Sequence, residues 1–333
     1  MKLPISITNL MLIIGIIIFI IYLQFIGLKT LVNEIIIADK TTLFLLLLID
    51  IICIGLFTLS WYLFLGNPSI KFRDCFEIVL ISIFCDLMIP TASISGEVVR
   101  INLTARKANI GLGKATTSVI LHRIMLTLTF GVIIILCGLK LINYNLLLAL
   151  FLITISIIII SSLILALYAI KKYKKLIERI IDVFEKIIKK IRPNFNIKVE
   201  EDISKLEKDL ENIRVLILSF IFLIVRWLLL ALIPYLAFIS MNYYVSYWIV
   251  LTVSSLMSMI QIIPIGIPGM IGIMEISITV LFMEFGIPLE IASSVTILMR
   301  IITFWFELFL GFVITSIYGL NKVIIKTKLN NSM

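Results

Sequence analysis

Residues 41–65 read TTLFLLLLIDIICIGLFTLSWYLFL, a run of apolar side chains with one ionisable group, Asp50. The hydrocarbon core of a bilayer takes about 20 predominantly apolar residues in a helix. A helix also bonds its own amides and carbonyls, so it can sit in oil. A transmembrane barrel strand would alternate polar and apolar residues, and this run does not. It therefore reads as a membrane-spanning helix.

Working outward, similar runs occur near 8–28, 115–138, 145–170, 214–240 and 288–320. Two shorter apolar stretches, 75–90 and 247–263, run into segments broken by proline and glycine and read as halves of re-entrant hairpins, 75–110 and 247–287. The fold class expected is an all-α, polytopic integral membrane protein. It has about six full spans plus two re-entrant helical hairpins, within a single transmembrane domain, 1–333. The composition agrees: 61% of residues are hydrophobic and mean hydropathy is +1.19, where globular domains are roughly half apolar. The first run follows Lys2 and precedes no small-residue cleavage site, so it reads as a retained span rather than a signal peptide.

The net charge is +9. The basic residues cluster in loops beside the spans, which points to topology and anionic lipid headgroups as partners rather than to nucleic acid. With the N-terminus in the cytoplasm and both hairpins returning to their side of entry, the clusters at 66–74, 96–114 and 171–213 all fall inside. So does the tail with Lys322, Lys326 and Lys328. The expected location is the cell membrane, multi-pass, with both termini cytoplasmic. Lys171–Arg192 carries nine basic and three acidic residues, with Ile177, Ile180, Ile181, Phe184, Ile187, Ile188 and Ile191 at helical spacing. This describes a cationic amphipathic helix in a cytoplasmic loop, 171–213, suited to an anionic leaflet or serving as a plain connector.

The two hairpins share an order of residues. Pro90 precedes Glu97 by seven positions, and Pro268 precedes Glu275 by seven. Arg123 and Arg300 follow, each eight positions after an alanine, Ala115 or Ala292, that opens a small polar run. The units 41–138 and 214–320 thus read as two repeats, antiparallel in the membrane. Interrupted apolar segments at matching places in two halves point to a transporter's binding site. Pro90, Gly96, Pro264, Pro268, Gly269 and Gly272 form the expected turns. Proline and glycine free backbone groups there, and helix N-termini attract anions.

Ionisable residues within apolar runs are costly and default to functional hypotheses. Here they are Asp50, Asp86, Glu97, Arg123, Arg226, Glu275, Arg300 and Glu307. The candidate substrate-binding set is Glu97, Arg100, Arg123, Glu275 and Arg300; Asp50, Asp86, Arg226 and Glu307 are secondary. Arg300 and Glu307 lie seven apart, on one face of a regular helix. The alternative for all of them is structural ion pairing between helices. His122 is the single histidine, and Cys53, Cys75, Cys85 and Cys137 form no CxxC, so no metal, cofactor or disulfide framework is expected. All five read as packing residues.

The segments MIPTASISGEVVR (88–100) and GLGKATTSVILHR (111–123), with IIPIGIPGMIGIME (262–275) and GIPLEIASSVTILMR (286–300), resemble the two signatures of the flippase-like domain family. That family includes the transmembrane region of lysylphosphatidylglycerol synthases. The resemblance covers about 10–320. It implies a membrane protein that moves, or helps move, an anionic lipid or polyprenyl-phosphate-linked glycolipid between leaflets. The chain ends at Met333, just past the last span, so the cytosolic aminoacyl transfer of some members is not expected. Two other classes remain. A membrane enzyme on a lipid phosphate would need a nucleophile such as Ser93, Ser95 or Ser277, and no P-G-x-S-R-S-like run supports it. A non-transporting scaffold would work through 171–213.

Overall fold

The computed structural model describes residues 16–24, 40–66, 70–90, 93–172, 212–263 and 266–330. Among them there are helices and turns and no strands. After a helical stretch at 16–24 come α1 (Lys40–Leu65), α2 (Phe72–Met88), α3 (Ile94–Lys107), α4 (Leu112–Leu141), α5 (Leu146–Lys172) and α6 (Ile213–Ser240). They are followed by α7 (Tyr247–Gln261), a 3₁₀ turn (Pro268–Met270), α8 (Ile273–Glu284), α9 (Leu289–Arg300), a π turn (Ile301–Phe306) and α10 (Glu307–Asn330).

Five helical segments among the described residues are long and apolar enough to cross a membrane: Thr41–Leu65, Leu112–Leu141, Leu146–Tyr168, Ile213–Ser240 and Leu289–Gly319. They match five of the expected spans. The span expected at 8–28 is described only at 16–24, and most of the amphipathic loop 171–213 lies outside the described residues. The chain is a polytopic α-helical membrane protein.

The chain divides into two compact units. One comprises Met1–Gly55, Phe76–Val99 and Leu228–Met333; the other comprises Leu56–Cys75 and Arg100–Trp227. Residues of the first expected repeat fall in both units, and 228–320 of the second falls in one.

In the first unit, α2 ends just before Pro90, as the residue preceding a proline disfavours the helical region. The chain turns and α3 begins at Ile94. Asp86 on α2 then caps α3: its Oδ1 accepts from the Gly96 amide at 2.6 Å and the Ser95 hydroxyl at 2.8 Å. The Gly96 amide, in the helix's first turn, has no intrahelical acceptor. A Cβ at residue 96 would collide with the Asp86 carboxylate, so a glycine is required for the approach. In the second unit, Lys107 on α3 reaches Asp74 on α2 at 2.8 Å. The start of α2 is thus tied to the end of α3.

The second unit is built around α4 and α5, which pack along their length. Ser156 donates to the Gly131 carbonyl at 2.6 Å, an interhelical bond of the kind that holds membrane helices. Phe64, Leu121, Met125 and Leu223 form an apolar cluster beside this pair. The outer face of α5 is strongly apolar and exposed, with Leu147, Ile164 and Leu165 each more than half accessible.

Candidate ligand site at a broken helix

From α7 to α10 the chain breaks between α7 and α8, turns at Gly286 between α8 and α9, and passes from α9 to α10 through a π turn. α7 ends at Gln261, and α8 does not begin until Ile273. Between them Gly269 has φ +57° and Gly272 has φ +84°, conformations that L side chains rarely adopt. Pro268 opens the 3₁₀ turn. After α9 a single π turn follows Arg300 directly, an irregularity found often at functional sites.

Glu275 lies in the first turn of α8 and reaches back to accept from the Gly272 amide through Oε2 at 2.6 Å. This is the acidic arm of a capping box. Its Oε1 accepts from Arg300 Nε at 2.6 Å. Arg300 Nη2 donates to the Gly269 carbonyl at 2.8 Å. The guanidinium also lies over the Phe304 ring, 4.1 Å from its centroid. One arginine at the end of α9 therefore ties the turn within the break to the start of α8. Glu275 is 1% exposed and Arg300 6%, and Arg300 lies inside the candidate span Leu289–Gly319.

A chain of hydroxyls runs beside the pair. Thr296 donates to the Ala292 carbonyl at 2.7 Å, so it must accept from Thr279 at 3.1 Å. Thr279, having spent its proton, accepts from Tyr22 at 2.9 Å. The order is Tyr22 to Thr279 to Thr296 to Ala292, and it fixes the 16–24 helix on α8 and α9. Phe19, Leu23 and Ile297 complete that contact.

The second unit holds a separate polar cluster. Arg100 Nη1 lies 3.1 Å from His122 Nδ1. Arginine only donates, so Nδ1 accepts and the imidazole proton sits on Nε2. Nε2 then donates to Ser60 Oγ at 2.8 Å, and Ser60 donates to the Phe57 carbonyl at 2.8 Å. The Arg100 guanidinium lies against the Phe57 and Trp61 rings, and Arg226 against Phe57, at 5.1–5.3 Å. Because His122 donates to Ser60, it is not placed to take that hydroxyl's proton. A serine–histidine nucleophile is not formed here.

Residues 9–311 match the family described as the lysylphosphatidylglycerol synthase TM region. The chain belongs to this family. It is also similar to a UPF0104 membrane protein of Pyrococcus horikoshii, 28% identical over 91% of this chain and 94% of the relative. A UPF0104 membrane protein of Methanothermobacter thermautotrophicus is 25% identical over 88% of each. One of Methanocaldococcus jannaschii is 23% identical over 94% of this chain and 95% of the relative.

In this member of the lysylphosphatidylglycerol synthase TM region family, the expected site residues are placed as follows. Glu275, Arg300, Pro268, Gly269 and Gly272 come together at the second break. Pro264 lies outside the described residues. Glu97 is half-buried in the first turn of α3, next to Gly96, whose contact with Asp86 spans Pro90. Arg100 is buried, 3% exposed, with His122. Asp50 is fully buried on α1, Arg226 is half-buried on α6, and Glu307 is half-buried at the start of α10.

Two placements differ from the sequence pattern. The repeat equates Arg123 with Arg300, yet Arg123 is exposed while its neighbour His122 is fully buried. The buried stripe of α4 runs through Ala115, Ser118, His122, Met125 and Thr129, and the next position turns away from it by about 100°. Arg300 and Glu307 do not pair along one face either. The π turn between them breaks the helical register, and Arg300's carboxylate partner is Glu275.

Sequence reading missed Tyr22, Thr279, Thr296 and Phe304, and took His122 for simple packing. A signal for two of them existed. Thr279 lies four residues after Glu275 and Thr296 four before Arg300, so each shares a helix face with its charged neighbour.

Proposed function

We propose that this protein carries a lipid with an anionic headgroup between the leaflets of the cell membrane. The observation that carries the reading is the buried Glu275–Arg300 pair, which fastens a proline- and glycine-broken segment inside apolar helices. Irregular backbone at membrane depth is tolerated where it is buried in protein or lines a cavity. Buried ionisable groups there mark substrate pathways. Arg300 supplies the headgroup contact and Glu275 its alternative partner, while the acyl chains stay in the bilayer.

The reading extends to an inverted repeat of two re-entrant hairpins, 75–110 and 247–287, with both termini cytoplasmic. Support comes from the shared order Pro90–Glu97–Arg123 and Pro268–Glu275–Arg300. Further support comes from the placing of Glu97 and Glu275 alike in the first turn of the helix that follows each break. The Asp74–Lys107 pair adds to it, since it closes the open end of the first hairpin.

The test is headgroup accessibility of a labelled anionic phospholipid in vesicles reconstituted with the protein. Wild type accelerates exchange between leaflets; Glu275→Gln and Arg300→Ala, inserted at the same level, do not. Wild-type exchange in both variants removes the site from the mechanism. Release of inorganic phosphate from a lipid phosphate in the same vesicles would favour the enzyme reading instead.

A further inference from the structure

We infer that the site couples anion binding to a proton, so that one phosphodiester anion at Arg300 enters with one proton on Glu275. The inference rests on the carrier reading above and names its coupling ion.

The argument begins with charge. Glu275 and Arg300 form a neutral pair, and their side chains are 2% and 7% accessible. An anion brought to Arg300 while Glu275 stays ionised would leave one net negative charge in an apolar site. Burying such an uncompensated charge is expensive, and proteins avoid it by neutralising the group. Among the described residues, the groups that face Glu275 offer no second cation. Arg300 faces it from α9, and Tyr22, from the 16–24 helix, bonds to Thr279, one helical turn along α8. The break 266–272 and the π turn contain no ionisable side chain. Tyr247, Glu284 and Glu290 stand at the other ends of α7, α8 and α9, and Glu307 follows the π turn.

The hydrogen bonds then show where the proton goes. Glu275 Oε2 is held by the Gly272 amide, and Oε1 by Arg300 Nε. A proton arriving on Oε1 turns that atom from acceptor to donor, and Arg300 Nε loses its acceptor. A phosphodiester oxygen placed between them accepts from both. Oε2 keeps its bond to Gly272, so the cap of α8 survives the exchange. Arg300 is steadied meanwhile by the Gly269 carbonyl and the Phe304 ring. Among the described residues its third nitrogen, Nη1, makes no hydrogen bond and is available to the same anion. The balance is simple: one anion and one proton enter together, and the site stays neutral.

The experiment measures calorimetric binding of dioctanoyl phosphatidylglycerol to the purified full chain in an uncharged detergent, between pH 5.5 and 8.5. The phosphodiester does not titrate in this range, so any dependence belongs to the protein. Repeating each titration in buffers of different ionisation enthalpy counts protons and needs no variant. The expected result is uptake of one proton per lipid, with affinity falling tenfold per pH unit, and pH-independent binding by Glu275→Gln. A parallel arm uses dimethyl phosphate. Binding of both probes assigns the site to the phosphodiester group itself, and binding of the lipid alone assigns it to a lipid headgroup with its chains; in either case the proton count must be one. Lipid binding by wild type without proton uptake, or an unchanged pH slope in Glu275→Gln, overturns the coupling and leaves the carrier reading standing. Failure of wild type to bind the lipid at every pH overturns both.

Discussion

The Phe304 ring lies against the α-carbon of Gly269 so closely that any Cβ at position 269 would enter it. Thirty-five residues apart in the chain, these two set the floor on which the Arg300 guanidinium rests. Gly269→Ala should therefore be costly twice over. The left-handed backbone at φ +57° penalises an L side chain by about 1–2 kcal/mol, and overpacking against the ring adds about 1–3 kcal/mol. Thermal unfolding in detergent reads the loss. The double variant with Phe304→Ala should recover the steric part and retain the backbone part, giving a non-additive pair.

Removing one partner of the buried ion pair is worse than removing both. Arg300→Ala leaves Glu275 buried without its cation and should cost about 3–5 kcal/mol. Glu275→Gln with Arg300→Met should lie closer to wild type in unfolding temperature, yet remain inactive in headgroup exchange. A double variant less stable than Arg300→Ala would mean that the pair is not the electrostatic unit described.

Tyr22→Phe removes the first donor of the hydroxyl chain and keeps the ring. Thr279 still donates to Thr296, so the loss is one hydrogen bond, about 0.5–1.5 kcal/mol. Thr279→Val cuts the chain at its centre and should cost more. Chemical denaturation of the two variants in parallel orders them.

The Asp74–Lys107 pair gives an acid-sensitive contact outside the membrane-spanning segments. The Lys107 hydrogen bond holds the Asp74 carboxyl below its ordinary value. A carboxyl lowered on folding contributes stability above its unfolded value, about pH 4, and loses it as pH falls through the lowered one. Both side chains are about a quarter accessible, so the contribution is less than about 1 kcal/mol. Asp74→Asn should slightly lower the unfolding temperature at pH 7 and leave it equal to wild type near pH 2.

Much of the architecture was legible because hydropathy is local. Runs such as 41–65 and 145–170 declare a span by composition alone, since a helix in oil needs no particular neighbour. The second break was legible for the same reason: proline and glycine act on their own backbone, and Pro268, Gly269 and Gly272 sit where the regular helix stops. Arg123 shows the limit. Its spacing from Glu97 matches that of Arg300 from Glu275 to within one residue, but one residue is about 100° of helix, enough to exchange a buried position for an exposed one. His122 takes the buried place instead, and a lone histidine in an apolar helix carries no mark of its partners.

The sequence by itself determined that this is a helical membrane protein, where its long helices run, and which few charges they carry, because each follows from the free energy of a short segment in oil. The tertiary structure decided which of those charges meet. Glu275 closes on Arg300 rather than Glu307 on Arg300, and Arg100 turns to His122. Pairing depends on helix rotation, on the π turn that resets register after Arg300, and on the hydroxyls that fix α8 to α9. Those are relations between segments distant in the chain, which no single stretch of sequence contains.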